Sequence, residues 1–399
     1  VNAFTCTCAA GYSGATCTIN NTYGTGVDGA VTVASGSVNI STTSVATGRT
    51  CADGGDAVSY SVNTLTGSSA VLTASPAAGC FAVNDEVLLI NLQGTAAANV
   101  NVGNYETLRV ASVAGAVVTF TTAKVNSYGS AAGNDAGIGV TTTSQRVVLQ
   151  RVPNFASLSV SAGATLTANA WDGVKGGVLF VRSSGAATIT GTVTMDGKGY
   201  RGGARPTLVN QDGFQGESYG GVGTQLQAAL LGGGGGGRGE ACASYGAAGG
   251  GAAYGTAGTN GTTGCTGNGA AVYGNAALTK LFFGGGGGSG GNDNFLGDNP
   301  LGGLGGAGGG IVVIKAGSVT VTGSVSSRGT AGQGDAAAGC FGGWFAVPVG
   351  RHRQRGHVAR HRRRWSRWAR WIHERWGRRR GPHRGPLRHH GDRHHDAGR

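Results

Sequence analysis

Between residues 198 and 309 glycine arrives in runs: Gly232–Gly237, Gly249–Gly251, Gly284–Gly288 and the stretch from Gly302 to Gly310. Glycine loses more backbone entropy on ordering than any other residue. Such runs therefore admit two outcomes. One is a floppy insert without a core. The other is an ordered, side-chain-poor layer in which extended chains approach closely and exchange backbone hydrogen bonds. Tyr245, Tyr254, Tyr273, Leu281, Phe282, Phe283 and Phe295 punctuate the region, which plain linkers rarely need. Collagen is excluded, because the 81 glycines follow no Gly-X-Y period and there are only seven prolines. No run of 18 apolar residues occurs, so no helical membrane span is expected. Gly, Ser, Thr, Asn and Val dominate where helix formers would be needed, and the fold class expected is all-β.

The glycine-rich stretch separates two segments that match each other. Gly177-Val-Leu-Phe-Val-Arg-Ser-Ser-Gly185-Ala-Ala-Thr-Ile189-Thr-Gly191-Thr-Val193 parallels Gly310-Ile-Val-Val-Ile-Lys-Ala-Gly317-Ser-Val-Thr-Val321-Thr-Gly323-Ser-Val325, with one residue of gap. Ser157–Ala168 has a related rhythm. Apolar residues alternate with Ser and Thr, so one face of each short strand is buried, and glycine supplies the corners. Strands this short need coil-on-coil stacking to make a core, which predicts a parallel β-solenoid over 156–340 with the insert 198–309 inside it. A flat sandwich is the alternative. The pattern resembles right-handed β-helix proteins of bacterial surfaces.

Upstream, residues 22–155 read as a β-sandwich or barrel-like domain. Its expected strands are Ala30–Ile40, Ala57–Val62, Ala70–Ala74, Glu86–Leu92, Thr107–Val113, Ala116–Thr122 and Gln145–Val152. Its acids Asp85, Glu86 and Glu106 are placed at turns and on solvated faces, since no histidine or carboxylate spacing supports catalysis.

Residues 1–21 carry Cys6-Thr-Cys8-Ala-Ala-Gly11-Tyr12-Ser-Gly14-Ala-Thr-Cys17. This spacing resembles the C-terminal half of an EGF-like domain. The resemblance implies a Cys8–Cys17 disulfide, a missing upstream partner for Cys6, and a chain that opens inside a module. No calcium site carries over, and a zinc site would lack ligands. A bare disulfide staple remains the alternative to recognition. Either reading implies an oxidising compartment, in which Cys51–Cys80 and Cys242–Cys265 are the natural local pairs and Cys340 is left over.

The formal charge of +13 is confined to the end of the chain. Residues 1–350 hold 14 Lys and Arg against 15 Asp and Glu, whereas residues 351–399 hold 17 Arg and only three acids. All nine His lie in that tail, and five of the six Trp lie between Trp344 and Trp376. An Arg/Trp arm would suit nucleic acid, and a His-rich tract would suit metal. Codon structure offers a simpler origin. A Trp codon read one base later becomes a Gly codon, and Arg codons can do the same. Trp365, Trp368, Trp371 and Trp376, with Arg367, Arg370, Arg375, Arg378 and Arg379, would then restore another glycine tract. Residues 341–399 are accordingly read as an out-of-frame, disordered tail, and no nucleic-acid partner is assigned.

Three functional readings fit the sequence. The EGF-like start, β domain, solenoid and glycine tracts together resemble large secreted proteins of gliding and predatory bacteria. Glycine-rich phage fibre-tip adhesins share the glycine tracts alone. This resemblance implies a non-enzymatic extracellular or cell-surface adhesive protein. Tyr245, Tyr254, Tyr273, Phe282 and Phe295 are its contact-loop candidates, for a surface glycan or protein. The alternative is a polysaccharide-degrading β-helix enzyme using Asp172, Asp196, Asp212 and Glu217 with Lys198, Arg201 and Arg205. A basic nucleic-acid arm is third. No cofactor or metal is expected. The glycine runs lack the phosphate-loop Lys-Ser/Thr, and Gly290-Gly-Asn292-Asp293-Asn294-Phe295 with Asp298 reads as a polar turn, not a calcium repeat. Resequencing the coding DNA across codons 335–350 is expected to uncover a one-base insertion or deletion that restores glycine codons. An intact frame in independent clones would sink that reading of the tail.

Overall fold

The computed structural model describes residues 23–239, 247–261, 265–292 and 302–333, with the backbone of three further strands. Two of these, Tyr12–Ser13 (β1) and Ile19–Asn20 (β2), pair antiparallel. The protein is all-β, and no helix among the described residues is long and apolar enough to cross a membrane.

Two parallel sheets form a flattened solenoid. One sheet orders Ala30–Val33 (β3), Ser157–Val160 (β12), Val178–Ile189 (β14) and Ile311–Val321 (β16), extended by Val347–Val349 (β18). The other orders Ser37–Asn39 (β4), Thr165–Thr167 (β13), Thr192–Thr194 (β15) and Ser324–Ser326 (β17). Each coil contributes one strand to each sheet across a tight corner. At Gly36 and Gly163 the corner takes positive φ, 67° and 81°, which glycine adopts without steric cost. At the corner after β14, a Cβ on Gly191 would lie 2.2 Å from the Ser161 carbonyl oxygen of the neighbouring coil. Apolar residues such as Val31, Leu158, Val160, Leu179, Val181, Val193 and Ile314 fill the space between the sheets.

The first coil corrects a domain boundary. Ala30–Ile40 is not a barrel strand: it breaks at Gly36 into β3 and β4, which pair in parallel with β12 and β13. Its Val31-Thr-Val33 … Ser37-Val38-Asn39 alternation matches the later coils, and only stacking on β12 buries that face. The other six expected strands all occur. Ser59–Leu65 (β5), Ser69–Leu72 (β6), Glu86–Gln93 (β7), Tyr105–Ala114 (β8), Val117–Phe120 (β9) and Arg146–Arg151 (β10) close an antiparallel barrel in the order β10-β5-β6-β9-β8-β7. Asn154–Phe155 (β11) then leads the chain back along β14. Residues 341–346 and 350–399 lie outside the described residues. The expected lack of structure over 341–399 does not hold for Val347–Val349, which pair with Val313–Lys315.

The return path from each coil to the next carries an excursion. The first return holds the barrel, the second holds the loop from Ala168 to Gly177, and the third holds the glycine-rich insert. All three converge on the outer face of the β14/β16 sheet. Strand β7 is buried along its whole length because its alternation serves two cores. Val87 and Leu89 face the barrel interior, while Leu88, Ile90 and Leu92 meet Trp171, Val178, Phe180, Tyr200, Phe283 and Val313.

The described glycine-rich segments are ordered without helix or strand, and their hydrogen bonds repeat every third residue. From Gly284, every third N–H (284, 287, 290) donates to the carbonyls of Gly309, Gly306 and Gly303. The next set (285, 288, 291) donates to Ala253, Gly250 and Ala247, and the last (286, 289, 292) to Glu217, Phe214 and Gln211. One segment thus pairs antiparallel with three neighbours in rotation, with the three-residue turn of a polyproline II helix. It also accepts from Gly234 and Gly203. Any face carrying a side chain would push a neighbour away. A Cβ on Gly286 would sit 1.9 Å from the Arg201 carbonyl oxygen, and one on Gly234 2.0 Å from that of Gly250. Net backbone hydrogen bonds of about 1 kcal/mol each offset the glycine entropy cost of roughly 0.5–1 kcal/mol per residue relative to Ala.

Gly286→Ala is therefore expected to lower the thermal unfolding midpoint sharply or prevent folding. Gly255→Ala, where the added Cβ meets nothing within 4 Å and φ is ordinary, should be neutral or stabilising by roughly 0.4–1 kcal/mol. Thermal melts of the two variants beside the parent check this.

Candidate functional site

Asp172 and Glu217 line separate hollows, although Arg201, which holds Glu217, also donates Nη1 to the Asp172 carbonyl (3.1 Å). Glu217 is buried at 3% exposure and receives five hydrogen bonds. Gln93 Nε2 (3.1 Å) comes from the barrel and Trp171 Nε1 (3.1 Å) from the second return loop. Arg201 donates its backbone N–H (3.0 Å), Nε (2.9 Å) and Nη2 (3.1 Å). A carboxylate offers about four lone-pair sites, and these five donors occupy them. Glu217 acts as the pin joining barrel, solenoid and glycine-rich layer. Hydrogen bonding to Glu217 in turn raises the Arg201 guanidinium above its ordinary value. Asp196 Oδ1 accepts from Arg328 N (2.6 Å), tying one coil exit to the next. Asp212 Oδ1 accepts from Gly239 N (2.8 Å) inside the glycine layer. Lys198 and Arg205 make no ion pair with the described residues.

Asp85 and Glu86 are not on solvated faces. Both are buried, at 8% and 6% exposure, because arginines neutralise them where barrel meets solenoid. Asp85 pairs with Arg49 (2.5 Å) and Arg151 (3.4 Å), and Arg151 also pairs with Asp28. Glu86 pairs with Arg182 Nε (2.8 Å) and accepts from Asn154 Nδ2 (2.9 Å). Glu106 takes the backbone N–H groups of Val125 and Asn126, both at 2.9 Å. The paired charges lie in separate stretches of the chain, so no local pattern signals that they meet.

The aromatic contact candidates are mostly internal. Tyr254 is buried at 6% exposure, edge-on to Tyr273 with ring centroids 5.2 Å apart. Tyr273 packs on Phe282 at 5.9 Å and on Tyr219 at 5.1 Å, and its hydroxyl donates to the Phe283 carbonyl. Burial pushes Tyr254 up to about 12 and Tyr273 well above its usual range. Tyr273 and Phe282 remain half-buried at the surface, whereas Tyr245 and Phe295 lie outside the described residues. So do Cys8, Cys17 and Cys242. The expected Cys51–Cys80 disulfide is present. Cys265 is disulfide-bonded, and its expected partner Cys242 is one of the residues outside the description.

A polar groove of about 470 Å³ opens between the barrel and the second return loop. Asp53 and Ser59 line it from the barrel side, Ser41 and Thr42 from the first coil, and Asn169, Asp172 and Lys175 from the loop. Asp53, Asn169 and Asp172 are each held through one side-chain oxygen. The Tyr60 hydroxyl donates to Asp53 Oδ2 (2.5 Å) and accepts from Ala77 N (3.1 Å). Burial, and then the bonded Asp53, push that phenol up to about 12, so it stays a donor. Asp172 Oδ1 caps its own turn by accepting from Val174 N (2.7 Å) and Lys175 N (2.8 Å). Asn169 Oδ1 accepts from Asn39 Nδ2 (2.6 Å), and Lys175 Nζ rides 5.7 Å from the Tyr60 ring centroid. Among these, sequence reasoning singled out Asp172 alone. The others come from three separate stretches of chain and share no motif. Among the described residues no group of three or more His, Cys, Asp or Glu could hold a metal.

No family model and no curated protein matches this sequence. Among solved structures, the chain is similar to the tailspike protein gp49 of Pseudomonas phage LKA1, at 15% identity and a TM-score of 0.17, over 42% of this chain and 28% of that one. It is also similar to the tailspike gp61 of Pseudomonas phage phi297, at 17% identity and a TM-score of 0.16, over 45% and 30%. This chain thus spans less than a third of either tailspike, and likeness at these scores carries no functional argument.

Removing Glu217 tests the pin. Glu217→Ala leaves buried Gln93 and Trp171 donors unsatisfied and breaks an ion pair, so denaturant unfolding should show a loss of about 3 kcal/mol or more. Arg201→Ala should be comparably costly, because it leaves the Glu217 carboxylate, only 3% exposed, without its counter-ion.

Proposed function

We propose that this chain is a non-enzymatic structural protein of a cell exterior, a rigid scaffold whose loops attach to a surface glycan or protein. One observation carries the reading: each of the four carboxylates considered for polysaccharide cleavage is bonded into the fold. Glu217 is buried among five donors, Asp196 and Asp212 hold backbone N–H groups, and Asp172 caps a turn. A glycosidase needs two carboxyl groups flanking one bond, one of them poised as acid. The disulfide Cys51–Cys80 supports an oxidising compartment. The glycine layer supports a mechanical role, since its interior is backbone bonded to backbone and leaves little side-chain surface to rearrange. Half-buried Tyr273 and Phe282 at its edge are aromatic rings of the kind that contact surfaces use.

The reading is tested by incubating the purified chain with bacterial capsular polysaccharide and with peptidoglycan sacculi. Co-sedimentation with at least one, without release of reducing ends or unsaturated uronates, is the expected result. Sustained release of oligosaccharide by the chain, abolished in Asp172→Asn, would replace the scaffold reading with an enzymatic one.

A further inference from the structure

We propose that the groove between the barrel and the second return loop is a binding site for neutral, hydroxyl-rich saccharide. This deepens the attachment reading and rests on it for its biological setting, though the site itself stands on its own geometry. The groove's volume of about 470 Å³ falls within the roughly 300–1,000 Å³ of ligand clefts.

The chemistry follows from what each side chain has left over. Asp53 spends Oδ2 on the Tyr60 hydroxyl, and Asp172 spends Oδ1 on its own turn. One oxygen of each remains without a partner among the described residues. Asn169 spends its carbonyl oxygen on Asn39 and keeps its Nδ2 donors. Lys175 makes no hydrogen bond or ion pair with the described residues, and its ammonium is held over the Tyr60 ring, 5.7 Å from the centroid. The groove therefore presents two anionic acceptors, an amide donor and an ammonium donor, joined by the Ser41 and Thr42 hydroxyls. Sugar hydroxyls are donor and acceptor at once, so a run of them satisfies both kinds of group.

Net charge sets the class. Two carboxylates against one ammonium leave the groove negative, which disfavours uronates, phosphates and sulfates. Preorganisation adds affinity. Asp53 is fixed by a buried phenol and lies two residues from the Cys51–Cys80 disulfide, Asn169 is fixed by the first coil, and Asp172 by its turn. Side chains already held through one atom have less rotamer entropy to lose on binding.

Calorimetric titration of the intact chain with maltotriose, chitotriose and trigalacturonate tests the proposal. At least one neutral trisaccharide should bind, and trigalacturonate should not. Asp53→Asn and Lys175→Gln should each weaken binding about tenfold, with melting temperatures near that of the parent, since Asn keeps an oxygen to accept from Tyr60 and Lys175 is exposed. Failure of both neutral sugars to bind overturns the proposal, as does binding that both substitutions leave unchanged or that favours trigalacturonate. The two readings fail separately. Retention on sacculi without trisaccharide binding would discard this groove and keep the scaffold, whereas trisaccharide binding accompanied by hydrolysis would keep the groove and discard the non-catalytic role.

Discussion

A backbone without side chains can be buried only if its own polar groups satisfy one another. That constraint shapes the third return of this solenoid. In residues 284–292 the N–H groups turn through three directions, and each direction meets a different antiparallel neighbour. The arrangement tolerates a side chain only where a direction faces solvent or an apolar plug. Tyr200, Leu281 and Phe283 occupy such places and anchor the layer against Trp171, Phe180 and Val313. The glycine runs are therefore the consequence of a packing geometry in which three faces of every turn are occupied.

The layer needs a rigid floor, and the β14/β16 ladder provides it. Ten residue pairs hold the two strands in parallel register, although more than a hundred residues intervene between them. Both faces of this sheet are apolar, so one closes the solenoid core and the other receives barrel and glycine layer together. Because the three excursions leave the solenoid on the same side, polar groups from each are brought within reach. Glu217 satisfies donors from all of them, and Arg151 with Asp28 and Asp85 ties the barrel's root to the start of the first coil. The groove lined by Asp53, Asn169, Asp172 and Lys175 is what remains open between two excursions. Its side chains are fixed by the contacts that join the parts.

Much of this was legible in the chain, for reasons of period. The match of 177–193 to 310–325 required one residue of gap. That gap falls where the β14/β16 register shifts, between Ser183 and Ala186. Six of seven upstream strands follow from alternation, and Cys51 with Cys80 from proximity. The first coil was hidden because Val31-Thr-Val33 and Ser37-Val38-Asn39 read as one long strand until something flanks them. The buried state of Asp85 and Glu86 was hidden for a related reason: a carboxylate next to Asn84 looks like a turn until Arg49, Arg151 and Arg182 arrive from elsewhere. The role of Glu217 had no local signal, since its partners lie at Gln93, Trp171 and Arg201.

The amino-acid order alone settles the all-β class, the internal repeat and the location of the glycine-rich stretch. Those properties depend on alternation and on backbone freedom, which are local. The choice of solenoid over flat sandwich needed the stacking of the coils. Whether the glycine segments order, and which acids are buried and which stay open to a ligand, follow from how the three excursions pack. Hydrogen-bond closure and desolvation depend on groups far apart in the chain, and no local pattern specifies which of them will meet.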